Sequence, residues 1–161
     1  MKEFASFGSF ARHLAVTAAM GEEVTHHLTA KAAEIIKEDA QKRIGEYQDY
    51  TGPFNSWAPL AESTMADRVA KGFTPDDPLL RTGDLRDSIE VTVKGNEAAV
   101  GSVSEIAMYQ ELGTDNMPPR PFLGPAAFDS KLNIGELAGE TITAWVSGLG
   151  WKRPRQLIKL P

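Results

Sequence analysis

The stretch "SIEVTVKGNEAAVGS", residues 88–102, decides the fold class. Ile89, Val91 and Val93 alternate with Glu90, Thr92 and Lys94, the period-2 pattern of a half-buried strand. Gly95-Asn96 supplies a tight turn, and Ala98 and Val100 carry the apolar face onto the return strand. The expectation is an antiparallel hairpin. The segments on either side of it read as helices.

Upstream, Val24, Leu28, Ala32, Ile35, Ile36, Ala40, Ile44 and Tyr47 recur at helical spacing. Glu34, Lys37, Glu38, Lys42 and Arg43 fall mostly on the other side, so this is an amphipathic helix with one buried stripe. Residues 10 to 20 are also helix-prone, with Phe10, Leu14 and Ala18 in step. One straight helix of about forty residues would span roughly 60 Å at ~1.5 Å per residue. A domain of this size is only about 40 Å across. Gly21, followed by Glu22-Glu23, offers a break and a new acid-favoured start. Residues 1–20 are therefore either a separate packed helix or a projecting arm.

Gly52-Pro53 ends the long helix. "SWAPLAESTMADRVAKG" then predicts a short helix, with Pro59 at its first position, Gly72 at its cap, and Leu60, Met65 and Val69 on its apolar face. "FTPDDP" is a loop. Between Leu80 and Ile89, Gly83 supplies a turn, Leu80 and Leu85 anchor it, and Ser88 leads into the strand. After the hairpin, "SEIAMYQELG" predicts a helix from an N-capping Ser104 to a stop at Gly113. Gly124-Pro125 opens a last helix whose buried side would be Phe128, Leu132, Leu137, Ile142 and Trp145, weakened by Gly135 and Gly139. The class is α+β: a long N-terminal helix and shorter helices packed on a small antiparallel β-sheet. No internal repeat is present.

At 161 residues, with 42% hydrophobic and 24% charged content, one compact domain is expected. It is read as a main body over residues 21–148, an arm or helix over 1–20 and a basic tail over 149–161. There is no cysteine, hence no disulfide and no thiolate metal site. That is compatible with the cytoplasm without proving it. The first twenty residues lack a basic region and are interrupted by Gly8, Ser9, Arg12 and His13, so no secretory signal or membrane span is read.

The net charge of −5 argues against indiscriminate binding of nucleic acid. It is unevenly spread. No acidic residue follows Glu140, while Lys152, Arg153, Arg155 and Lys159 do, leaving the body at −9 and the tail at +4. The tail is either a solvated terminus or a segment that docks on an acidic neighbour. Its apolar Trp151, Leu157, Ile158 and Leu160 favour docking.

Residue patterns for catalysis are weak. His26 and His27 are adjacent on a helix, about 100° apart, and cannot share a metal as an i, i+4 pair can. One is expected to pack and the other to be solvated. Asp76-Asp77 lie in a proline-rich loop. Asp84 and Asp87 suit a turn or helix start better than an acid pair with one raised pKa. "GNEAAVG" lacks the context and lysine of a phosphate loop, and no serine sits in a nucleophile elbow. No catalytic, cofactor-binding or metal-ligating residue is proposed.

"MYQELGTDNMPPRPFLGPA", residues 108–126, holds four of the ten prolines and is neither an ordinary helix nor a central strand. Together with "WAPLAESTMADRVAKGFTPDDPLLRTGDLRDSI" it resembles the virion-morphogenesis and tail-completion proteins of tailed bacteriophages, the head–tail joining or neck group. The resemblance rests on Trp57, Pro59 and Leu60, on Leu80, Thr82, Gly83, Leu85, Ser88 and Ile89, on Tyr109, Gly113 and Thr114, and on Pro118, Arg120, Pro121, Phe122 and Leu123. It covers residues 24 to 146 and is densest from 57 to 128. Glu111-Leu112 departs from the pattern, which commonly has an aromatic before the Gly-Thr.

The resemblance implies a structural protein of the virion, not an enzyme, needing no cofactor. It would be assembled in the host cytoplasm and sit at the head–tail junction. The partners implied are copies of itself in a ring, most simply a hexamer, and adjacent neck or tail-tube proteins. Phage DNA would pass through without specific binding, an acidic lumen repelling its phosphates. No membrane is involved. The alternatives are a tail-terminator ring or a prophage-encoded regulatory binding module. The proposed interface residues are Tyr109, Glu111, Met117, Pro119, Arg120 and Phe122, with Trp151, Lys152, Arg153 and Arg155 of the tail. Phe122 and Leu123 are also expected in the core, while Met117 and Arg120 are expected to face a partner.

Overall fold

The computed structural model describes residues 3–147. Helices α1 (Phe7–Ala19) and α2 (Gly21–Arg43) are followed by α3 (Glu62–Ala70) and a single turn, α4 (Asp84–Asp87). Strands β1 (Ile89–Lys94) and β2 (Glu97–Ser102) come next, then α5 (Glu105–Leu112), α6 (Leu123–Asp129) and α7 (Lys131–Val146). The sheet is the antiparallel hairpin alone, in the register Val91↔Val100 and Val93↔Ala98. Gly95 takes φ +60 in its turn. The fold is α+β, as expected.

Helix α2 is the hub: the hairpin, α6 and α7 all pack on it. Its ends match the helix dipole, with Glu22 and Glu23 in the first turn and Lys42 and Arg43 in the last. His26 Nδ1 donates to the Gly95 carbonyl at 2.6 Å, tying the hairpin turn to α2. Partial burial, ahead of the charges of Lys31 and His26, holds His27 below its ordinary pKa. Arg43, buried at the end of α2, pairs with Asp39 at 2.9 Å and with Asp129 of α6 at 2.6 Å.

The core is Ala40, Ile44, Trp57, Leu85, Ile89, Ala107, Phe122 and Ala126, with Ile36, Leu79, Leu80, Val100 and Leu123 packed around it. It draws on both ends of the chain's middle and explains why the hairpin, marginal alone, is held.

Four expectations need correction. The long helix stops at Arg43, short of Tyr47. Ile44 is extended, and Gly45, at φ +110, donates its N–H to the Pro78 carbonyl at 2.9 Å. A β-carbon there would lie 3.0 Å from Leu80, so a tertiary contact ends this helix. The next helix begins at Glu62, and Pro59 lies outside it because its carbonyl is engaged elsewhere, as described below. The last helix is two, α6 and α7, meeting at Ser130. Its expected buried side is largely open: Phe128, Leu132 and Ile142 are exposed, and the buried residue of α7 is Thr141. Phe128 instead lies over Gly52, where a β-carbon would meet its ring at 2.7 Å. Finally, Ala98 is exposed, although Val91, Val93 and Val100 on the same face are half-buried.

Helix α1 begins with a capping box, Ser6 and Ser9 each accepting the other's backbone N–H. None of its residues is buried. It meets the body near Met20, where Trp145 Nε1 donates to the Thr17 carbonyl at 2.9 Å.

Candidate functional site

The proline loop is built on α5. Gly113 ends that helix at φ +77, and a β-carbon there would come within 2.9 Å of the Pro119 nitrogen. Thr114 and Met117 exchange backbone hydrogen bonds of 2.9 and 3.1 Å, closing a small turn. The Arg120 N–H then donates to the Gln110 carbonyl at 2.7 Å, folding the loop back along α5.

Beyond that turn the loop is fastened from several sides. Arg120 is 5% exposed, and its guanidinium is engaged by main-chain carbonyls. It donates to the Ala58 carbonyl from Nε (3.2 Å) and Nη2 (3.0 Å), and to the Pro59 carbonyl at 3.1 Å. Trp57 Nε1 donates to the Pro121 carbonyl at 3.0 Å. Phe122 is completely buried. The Glu111 carboxylate accepts three backbone N–H groups, from Phe122 (2.7 Å), Leu123 (3.0 Å) and Gly124 (2.8 Å). It therefore caps the start of α6, and the departure at position 111 has a structural use.

This arrangement sorts the residues expected at an interface. Tyr109 and Pro119 are exposed, Glu111 and Met117 are half-buried, and Arg120 and Phe122 are turned inward. Arg120 is engaged by backbone carbonyls, neither by a nearby acid nor by open solvent. Trp151, Lys152, Arg153 and Arg155 lie outside the described residues. Two features are not found by the sequence reading. One is the exposed apolar face beside the loop: Val103 (94% exposed), Ile106, Met108 and Leu112. The signal for it is that α5 is apolar on more than one side, while only Ala107 is buried.

The other feature is a groove of about 490 Å³ between the Leu60 segment, the turn before α4, α5 and the loop. Arg68, Arg81 and Arg120 line it with one carboxylate, Asp84. Arg68 is 5% exposed and bonds the carbonyls of Thr74 (2.7 Å) and Leu80. Asp84 accepts the Thr82 hydroxyl at 2.7 Å. Arg81 pairs with Asp67, which Lys71 also holds, at 3.0 and 2.7 Å. The hydrogen bond from Lys71, aided by Arg81, keeps the Asp67 carboxyl below its ordinary pKa against a smaller opposing desolvation. A depressed carboxylate lends stability above its unfolded pKa and loses it as pH falls through the folded value. The expected acid titration of Asp67, followed by its carboxyl carbon shift, has a midpoint below that of a free aspartate. Arg81→Ala moves it upward; an unmoved midpoint would refute the contribution of Arg81.

Among the described residues no group of three or more His, Asp or Glu side chains could hold a metal ion. No described helix is long and apolar enough to cross a membrane.

Comparison with known proteins agrees with a particle-building role. Residues 9–141 match the model of the phage virion morphogenesis family. Over 98 residues the chain is 34% identical to the Mu-like prophage FluMu G protein 1 of Haemophilus influenzae. That match spans 60% of this chain and 66% of the relative, just under two thirds of its length. No solved structure matches. With most of its length matched, the chain belongs to the phage virion morphogenesis family.

Proposed function

We propose that this chain is a structural neck protein that completes the tail and joins it to the head. It acts as a ring of copies, most simply six, around the path of the DNA. The observation that carries the reading is the exposed apolar surface of Val103 and α5, set beside a proline loop anchored to the segment of Trp57 and Ala58. A chain that leaves Val103, Ile106 and Leu112 in water next to a pre-shaped loop has a surface suited to another protein. Neighbouring copies and adjacent neck or tail-tube proteins are the partners. The acidic body lets DNA slide past without specific binding. The basic tail, residues 149–161, docks on an acidic neighbour. Nothing in this role asks for catalysis or a cofactor.

The test is electron microscopy of particles from a phage lacking the chain. Filled heads lying apart from tails of normal length are expected. Overlong or ragged tails would replace the joining role with a terminator. Normal infectious virions would end the neck reading in favour of a regulatory module. Complementation with a chain lacking residues 149–161 tests the tail: full head–tail attachment would remove its docking role.

A further inference from the structure

Two features of this molecule complement each other and lie on different parts of its surface. The first is the groove. Arg68 and Arg120 are almost completely buried, yet neither meets a carboxylate among the described residues; their partners are backbone carbonyls. Carbonyls satisfy the donors but leave the charge uncompensated, and an uncompensated buried charge is costly. Arg81, paired with Asp67 at 3.0 Å, also lines the groove, and the lining itself carries one carboxylate, Asp84.

The second feature is the outer face of α7. Leu132, Glu136, Glu140 and Thr143 follow one another at helical spacing, and all are exposed. Gly135 and Gly139 lie on the same stripe, and a β-carbon at either would have nothing within 4 Å. A second backbone can approach this face closely. Neither glutamate is in an ion pair among the described residues. Lys131, at the start of α7, is turned onto the Phe128 ring, 4.2 Å from its centroid.

The geometry points to a head-to-tail contact between copies, in which the α7 face of one enters the arginine groove of the next. The occupant is a second copy of this chain. Glu136 and Glu140 supply the carboxylates that Arg68 and Arg120 lack, beside Arg81, which already holds Asp67. Leu132 meets the apolar rim at Leu60 and Ile106. The two surfaces are different, so the contact is heterologous and propagates around a ring. It rests on the ring reading above and names the surfaces that would make the ring.

The test uses the full-length chain in sedimentation velocity. The parent is expected to self-associate, more weakly as salt rises. Glu136→Lys with Glu140→Lys, both at exposed positions, is expected to weaken association by at least about tenfold, since it sets like charges together. Arg81→Glu should do the same from the groove side. A mixture of the two variants holds one parental α7 face and one parental groove, and should regain association that neither variant shows alone. A parent that stays monomeric, or an α7 variant that associates as the parent does, would overturn the contact. The particle experiment decides the neck role separately, so either can fail while the other stands.

Discussion

Glu111→Ala is expected to destabilise the fold by about 3 kcal/mol and to free the start of α6. Three backbone N–H groups converge on this one carboxylate, at 2.7, 3.0 and 2.8 Å. Hydrogen bonds to a charged acceptor contribute about 1.5–3 kcal/mol each, and those sharing one acceptor are not additive. Phe122 and Leu123 belong to or adjoin the core, so water does not simply replace the lost partner. Glu111→Gln keeps the shape and one good acceptor oxygen, and should lose about half as much. Urea unfolding gives the size of the effect. Amide exchange at Phe122, Leu123 and Gly124 gives its location. A shift in stability without faster exchange at those three amides would show that Glu111 acts some other way.

Phe122→Ala is expected to cost about 3–5 kcal/mol, the range for removing a fully buried aromatic ring. Phe122 is among the largest side chains with no exposure, and it joins residues from α2, the Trp57 segment, β1 and α5 in one cluster. Phe122→Leu, which leaves a smaller void, should cost roughly 1–1.5 kcal/mol. Denaturation midpoints of the two variants measure this. Equal losses for Ala and Leu would mean that ring shape, rather than buried volume, holds the site together.

The parts of this fold that local pattern controls were legible in the sequence. Much of the stripe of α2, the alternation in β1, the Gly95 turn and the stop at Gly113 depend on near neighbours, although Arg43, expected on the outer side of α2, and Ala33, outside the stripe, are buried. The misread positions depend on distant ones. Gly45 ends α2 because Pro78 and Leu80 are there. Pro59 is kept out of α3 by a guanidinium from Arg120. Leu132, Ile142 and Val146 of α7 point outward, and periodicity alone does not say which side of a helix meets the body.

The candidate site divides in the same way. Residue type marked the loop as a place of consequence, and its rigidity is evident. Residue type could not tell an arginine that faces a partner from one turned onto carbonyls 62 residues away. Nor could it show that Arg68, Arg81 and Arg120 share a groove, since they come from segments joined only by folding.

The stitching of Ala58 to Arg120 and of Trp57 to Pro121 has one more consequence, for how this chain can change in length. Everything between those points is an excursion that leaves the stitch and returns to it. The entropy of closing such a loop rises only with the logarithm of its length, about 0.6 kcal/mol for each doubling. Residues added at an exposed bend such as 115–116 would lengthen the excursion without moving Trp57 or Phe122. A relative could therefore lengthen such a bend while Leu85, Ile89 and Ala107 of the excursion stay in the same core.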